Sequence, residues 1–339
     1  MKSSNYLAKH YSIPLCFRNA FASLNKILLI LALAASFSVR AQPTYSKVVI
    51  FGDSLSDTGN ISSVIGSLPP PFYNNRITNG PVAVDELTAK LGLNATPSLH
   101  LSVAANGYNY AVAGGKIVGN GTEDLSAQIG AYLNRTNSFV DSNALFLLML
   151  GGNDLLSIRR TSSTNSGNLQ IESTIIAYIH QIQRLLNAGA RYFLVANAPN
   201  IGRIPQTLAL ESSFAGISAR AQSYSQYFNQ RLSSALTTLA FTGDSNVILF
   251  DFYATFNSIT NNPSAHGFSN ASEACFIIAS LSFHPNCNFS RFVFFDDIHP
   301  TGKAHQLLGE AMYKRLLEPT SSNSNGSVVS PIYLLLLSD

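Results

Sequence analysis

The sequence predicts an α/β chain built on a central parallel sheet with helices on both faces. Two observations predict it. Short, mainly apolar runs at residues 48–51, 144–150, 191–196 and 247–252 alternate with longer segments whose apolar residues recur at helical spacing. Runs apolar at successive positions suit strands buried on both sides, and strand–helix alternation is the pattern of a parallel sheet. A third observation concerns their ends. Two of the runs stop at Gly52-Asp53-Ser54 and Gly151-Gly152-Asn153-Asp154, and ligands of open α/β sheets bind outside the carboxyl ends of strands.

The chain begins with Lys2, Lys9, Arg18 and Lys26 ahead of an apolar run over 27–37, too short to span a bilayer comfortably. Val39 and Ala41 fit the −3 and −1 positions of cleavage after Ala41, so residues 1–41 read as a secretory signal peptide. With Arg40 the leader holds five basic residues and no acid. Its removal takes the formal charge from +3 down by five to −2. No electrostatic case for nucleic-acid binding survives that subtraction.

After the first strand, residues 62–78 are rich in Pro, Asn and Ser and read as a loop. Pro81 opens a helix, at position N1, that stops near Gly92. Residues 108–113 read as a short strand running into Gly114-Gly115, and 125–133 as a short helix. Residues 171–188 carry Ile175, Ile176, Ile179, Ile182, Leu185 and Leu186 at helical spacing, with Gly189 as the stop. A long helix is expected over 213–239 and a loop-rich stretch over 261–288. Then come a short aromatic strand over 291–295, the sequence Asp296-Asp297-Ile298-His299-Pro300, and a last helix over 304–317. Residues 44–318 form one expected domain, followed by a tail at 319–339 that ends in an apolar run.

A serine hydroxyl needs a base, and the usual base is a histidine oriented by a carboxylate. Ser54 emerges after the first strand. Beyond the leader the chain has His100, His180, His266, His284, His299 and His305. Only His299 follows an apolar strand with a carboxylate close behind it. Asp296 is the favoured orienter, with Asp297 as its rival. Gly114 could offer an open backbone N–H, and Asn153 a side-chain NH₂, to a developing oxyanion. The two cysteines left after cleavage, Cys275 and Cys287, are expected to form a disulfide in an exported chain.

Four blocks together resemble the GDSL, or SGNH, hydrolase family. They are 51–60 (Phe-Gly-Asp-Ser-Leu-Ser-Asp-Thr-Gly-Asn), 109–115 (Asn-Tyr-Ala-Val-Ala-Gly-Gly), 151–154 (Gly-Gly-Asn-Asp) and 296–300 (Asp-Asp-Ile-His-Pro). The resemblance covers about residues 47–316. It implies a three-layer, flavodoxin-like α/β/α sandwich, with Ser54 as nucleophile, His299 as base and Asp296 as orienter. It also implies oxyanion donors from the Ser54 amide, the Gly114 amide (Gly115 being the adjacent alternative) and Asn153, and no metal or organic cofactor.

Arg76-Ile77-Thr78-Asn79-Gly80-Pro81 and the cysteine loop are most similar to exported bacterial lipases, phospholipases A, lysophospholipases and glycerophospholipid:cholesterol acyltransferases. The expected substrate is therefore a lipid acyl ester, met in solution or at a membrane surface. Aromatic residues taken as loop residues, Phe72, Tyr73, Phe252, Tyr253, Phe256 and Phe268, favour lipid over sugar. A carbohydrate O-acetylesterase is the alternative with the same chemistry. An exported, non-catalytic binding protein is the alternative from another class.

Overall fold

Four strands make the central sheet: β1 (Val48–Gly52), β2 (Leu145–Met149), β3 (Tyr192–Ala196) and β4 (Asn246–Phe250). In the computed structural model they run parallel in the order β1-β2-β3-β4. The structure describes residues 44–161, 163–239 and 245–318. The expected leader, with Cys16, and the expected tail lie outside them. Every residue of β1 and β2 is buried, as strands covered on both faces must be. β4, at the edge, is only half-buried.

Alternation along the strands separates two apolar cores. Val49, Phe51, Phe146 and Leu148 face helices α3 (Leu125–Arg135), α5 (Thr164–Asn187) and α7 (Ile217–Thr238). Val48, Ile50, Leu145 and Leu147 face α2 (Ala83–Lys90), α8 (Phe252–Asn261) and α9 (Gly302–Leu317). The result is a three-layer α/β/α sandwich, as expected. Among the described residues no helix is long and apolar enough to cross a membrane.

Several local expectations need correcting. Residues 108–113 do not form a ladder strand. They run beside β1 with one bridge, Ile50 to Asn109, and hydrogen bonds from Ile50 N to Tyr108 O (2.9 Å) and Tyr110 N to Ile50 O (2.7 Å). A third bond runs from Val112 N to Gly52 O (3.1 Å), while the Asn109 side chain donates to Ser56 O and accepts the Ala111 amide. Pro81 is not at N1. Val82 caps α2, and Asp85 at N3 accepts the Val82 amide.

The fourth strand ends at Phe250, because Asp251 accepts the Ala254 amide and starts α8 one residue later. Phe252, Tyr253 and Phe256 therefore sit on a helix, not in a loop. Short helices α1 (Ser62–Ile65), α4 (Gly152–Ile158) and α6 (Pro205–Ala209) occupy stretches read as loop or left unassigned. After a short antiparallel pair, β6 (Phe276–Ile277) and β7 (Ser282–Phe283), the aromatic strand is β8 (Phe292–Phe294). It pairs in parallel with β5 (Asn270–Ala274) rather than with the central sheet.

Candidate active site

Ser54 is presented by a tight turn directly after β1. The amides of Ser56 and Asp57 both donate to Asp53 O at 3.0 Å, and Asp53 Oδ1 accepts the Leu55 amide. The side chain of Gln128 on α3 holds both backbone groups of Gly52, at 3.0 and 2.7 Å. A Cβ at Gly52 would lie 2.8 Å from the Ser56 side chain, so the turn closes only over glycine.

The other motif aspartates bind the blocks together. Asp57 accepts the amides of Gly59, Asn60, Ile61 and Ala113. Asp154 accepts those of Ile117 and Val118. Asn60 donates to Asn109 O and Ala111 O and accepts the Leu99 amide. The segment carrying Gly114 is thus clamped from both sides.

His299 Nε2 lies 2.9 Å from Ser54 Oγ. His299 Nδ1 lies 2.7 and 2.9 Å from the two oxygens of Asp296, whose Oδ1 also accepts the amides of Ile298 and His299. Asp296 is buried. Asp297, the rival orienter, accepts from Gln206 Nε2 instead. Burial alone would pull the His299 pKa down. The charge and hydrogen bond of Asp296 outweigh it, Asp53 and Asp297 add to them, and the value rises above that of an ordinary histidine. Burial would lift Asp296, but His299 and the backbone donors hold it low. Asp53 is pushed up to about 6, chiefly by burial.

The amides of Ser54 and Gly114 have no hydrogen-bond partner among the described residues, whereas that of Gly115 is taken by Val112 O at 3.0 Å. Gly114 has a φ of +86°, which favours glycine. Asn153 spends one N–H on Gly115 O at 3.0 Å and keeps a second. Asn153 and Ser54 line one cleft with Leu55, Leu156, Ile204 and Ile298. Gly114 also lines a groove of about 850 Å³ along Val64, Leu101, Ala127 and Ala131, and Asn153 bonds the residue next to it. An acyl-transfer reaction needs this set: a hydroxyl bonded to an oriented imidazole, and N–H donors with no internal partner.

The remaining histidines stand elsewhere. Burial lowers His100 to about 4 and His305 to about 3, and His305 accepts the Ala83 amide. His266 lies near Ser258, and His284 near Glu273. Cys275 and Cys287 are bonded, with Cα atoms 4.8 Å apart. The amides of Cys275 and Phe276 donate to Phe294 O and Phe295 O, which fastens the cysteine loop to the strand leading into Asp296.

A model of the GDSL-like lipase/acylhydrolase family matches residues 48–312. The chain belongs to this family. Its activity class is therefore ester hydrolysis of the GDSL type. The phosphatidylcholine-sterol acyltransferase of Aeromonas hydrophila is 30% identical over 243 residues, 70% of this chain and 67% of that protein. A GDSL esterase/lipase of Arabidopsis thaliana is 28% identical over 336 residues, 84% of this chain and 91% of that protein. Among solved structures, an acetylxylan esterase from Geobacillus stearothermophilus is 14% identical, covers 80% of this chain and 93% of that one, and has a TM-score of 0.42. A likeness that low lends nothing to a choice of substrate.

The brace behind His299 was not anticipated from the sequence. Thr78 Oγ1 donates to Pro300 O (2.8 Å), Asn79 Oδ1 accepts the Gly302 amide (3.0 Å), and Arg76 pairs with Asp85. The signal was present in the run 76–81, whose role had no local clue. Gln128 and Gln206 carried no signal at all.

Proposed function

We propose that the protein is a secreted serine esterase that hydrolyses lipid acyl esters, with an alcohol such as a sterol able to replace water as acceptor. One observation carries the chemistry: the continuous hydrogen-bonded chain from Ser54 through His299 to Asp296. Ser54 Oγ attacks the ester carbonyl while His299 Nε2 takes its proton. Asp296 keeps Nδ1 protonated and stabilises the imidazolium. The amides of Ser54 and Gly114 and the NH₂ of Asn153 receive the oxyanion. His299 then returns the proton to the leaving alcohol. Water or an acceptor alcohol releases the acyl group by the reverse sequence.

Lipid is favoured by the apolar walls of the Ser54 cleft and by the groove at Gly114, which has room for an acyl chain. The Aeromonas relative supports a phospholipid donor. The tightness of the cleft at Ser54, about 40 Å³, is what favours the second reading, a carbohydrate O-acetylesterase. Export rests on the leader and on the disulfide. The test is turnover of lysophospholipid, diacylphospholipid, triglyceride and acetylated sugar, each with and without cholesterol. Lipid hydrolysis without deacetylation is expected. Deacetylation alone would replace lipid with carbohydrate.

A further inference from the structure

Beside the Ser54 cleft lies a second one, of about 650 Å³, with a buried positive charge in its wall. Arg159 follows α4 and is 8% exposed. Its Nη2 donates to Gln206 Oε1 at 2.7 Å, while its Nε is buried with no hydrogen-bond partner. Among the described residues Arg159 makes no ion pair. Arg160 lines the same cleft, and Arg220 Nε donates to Arg159 O at 3.1 Å. A guanidinium has five donors in a planar fork suited to phosphate, and its burial is costly unless opposite charge faces it; Asp297, in the same cleft, supplies part of that charge without pairing with it directly.

The two clefts share three stretches of wall. Leu156 faces the serine and Arg159 the neighbour. Ile204 and Ile298 line the first, Gln206 and Asp297 the second. In a glycerophospholipid the phosphate is only a few bonds from the acyl ester, so a substrate seated on Ser54 can extend its phosphate into this neighbour.

We propose that Arg159, assisted by Arg160, binds the phosphodiester of a phospholipid head group. The proposal rests on the lipid-ester reading above. Asp297 and Glu273 also line the cleft. They would repel a free, multiply charged phosphate. A zwitterionic head group carries one negative charge and offers them its cationic nitrogen. The competing role for Arg159 is mechanical: it holds Gln206, whose amide and side chain both bond Asp297 beside the catalytic segment.

The experiment compares lysophosphatidylcholine with a monoacylglycerol of the same acyl chain, both below micelle formation. Arg159→Gln should lower the ratio of their kcat/KM values at least tenfold, mainly through KM for the phosphate-bearing substrate. Arg160→Gln should lower it less. Glycerophosphocholine, a phosphodiester with one negative charge, should inhibit hydrolysis of p-nitrophenyl butyrate by the unmodified protein, and inhibit Arg159→Gln far less. Equal loss on both lipids would make Arg159 a positioning residue and overturn the proposal. Inhibition by inorganic phosphate as strong as by glycerophosphocholine would overturn the head-group assignment. If Arg159→Gln does not fold, as judged by circular dichroism, an unchanged ratio in Arg160→Gln overturns it. Failure of the unmodified protein on both lipids, with turnover of acetylated sugar, would instead overturn the lipid reading.

Discussion

Ser54 meets His299 across 245 positions of chain, and each group in that contact is set by its immediate surroundings. Ser54→Ala should fold normally and lose ester hydrolysis by several orders of magnitude, and His299→Ala should do about the same, because the two act as a unit. Normal turnover by folded Ser54→Ala would remove the central assignment. Asn153→Ala should lower kcat roughly 10²–10³-fold with little change in KM, as loss of an oxyanion donor does. A pure KM effect would make Asn153 a substrate-binding residue.

The expected pH profile follows from His299, which must be neutral to act as the proposed base. With its pKa raised, kcat/KM should climb with pH through a midpoint above the ordinary 6.5. Asp296→Asn removes the charge that lifts it, burial then dominates, and the midpoint of the residual activity should move to lower pH. Asp53 has the opposite consequence for stability. Its folded pKa of about 6 exceeds the ordinary 3.8, so the fold binds that proton more tightly than the unfolded chain does. The stability it contributes is full below 3.8 and is lost as pH rises through about 6. Urea midpoints of Asp53→Asn should gain on wild type across that window.

At the scale of elements, the position of His299 depends on two distant segments. The run 76–81 lies against the start of α9 so closely that a Cβ on Gly80 would sit 2.9 Å from Gly302 Cα. The obstacle is backbone, which cannot swing aside. Gly80→Ala should therefore destabilise by about 1–3 kcal/mol and lower kcat by shifting His299. A stable variant with normal kcat would show that the two backbones separate without harm.

The second segment is the loop closed by Cys275 and Cys287, twelve positions apart. A loop of that size stabilises by about 3 kcal/mol in the chain-entropy model. Because its backbone bonds to Phe294 and Phe295 lead straight into Asp296, reduction should lower activity before circular dichroism reports unfolding. Unchanged activity after complete reduction would leave the bond a purely structural role.

Across the whole molecule, the site lies where the chain reverses its order across the sheet. Residues 108–113 flank β1 on one side and β2 flanks it on the other, so the crevice for a ligand opens at the end of β1. Helices on both faces keep the strands dry, and only their carboxyl ends carry polar motif residues. If the leader is cleaved as proposed, intact-mass measurement of the exported protein should give an N-terminus at Gln42. A mature chain that retains residues 1–41 would point to an uncleaved anchor.

The strands, the long helices and the four motif blocks were legible in the sequence. Buried parallel strands must be apolar throughout, and the chemistry requires particular residue types at their ends. Ser54, Gly114, Asn153, Asp296 and His299 stood out because they lie just beyond apolar runs and because the four blocks together resemble one family, whose spacing is what favoured Asp296 over Asp297. Partnership was not legible, since periodicity reports which face of an element is apolar and not what meets it. Only the folded chain decided that residues 108–113 flank β1 without a ladder, that β8 joins β5, and that the free amide belongs to Gly114 rather than Gly115. The same holds for Gln128, which is 76 positions from the glycine it holds, and for Thr78, which is 222 positions from Pro300. Hydrogen-bond partners at such separations are chosen by how the layers pack, and no local pattern in the sequence records that choice.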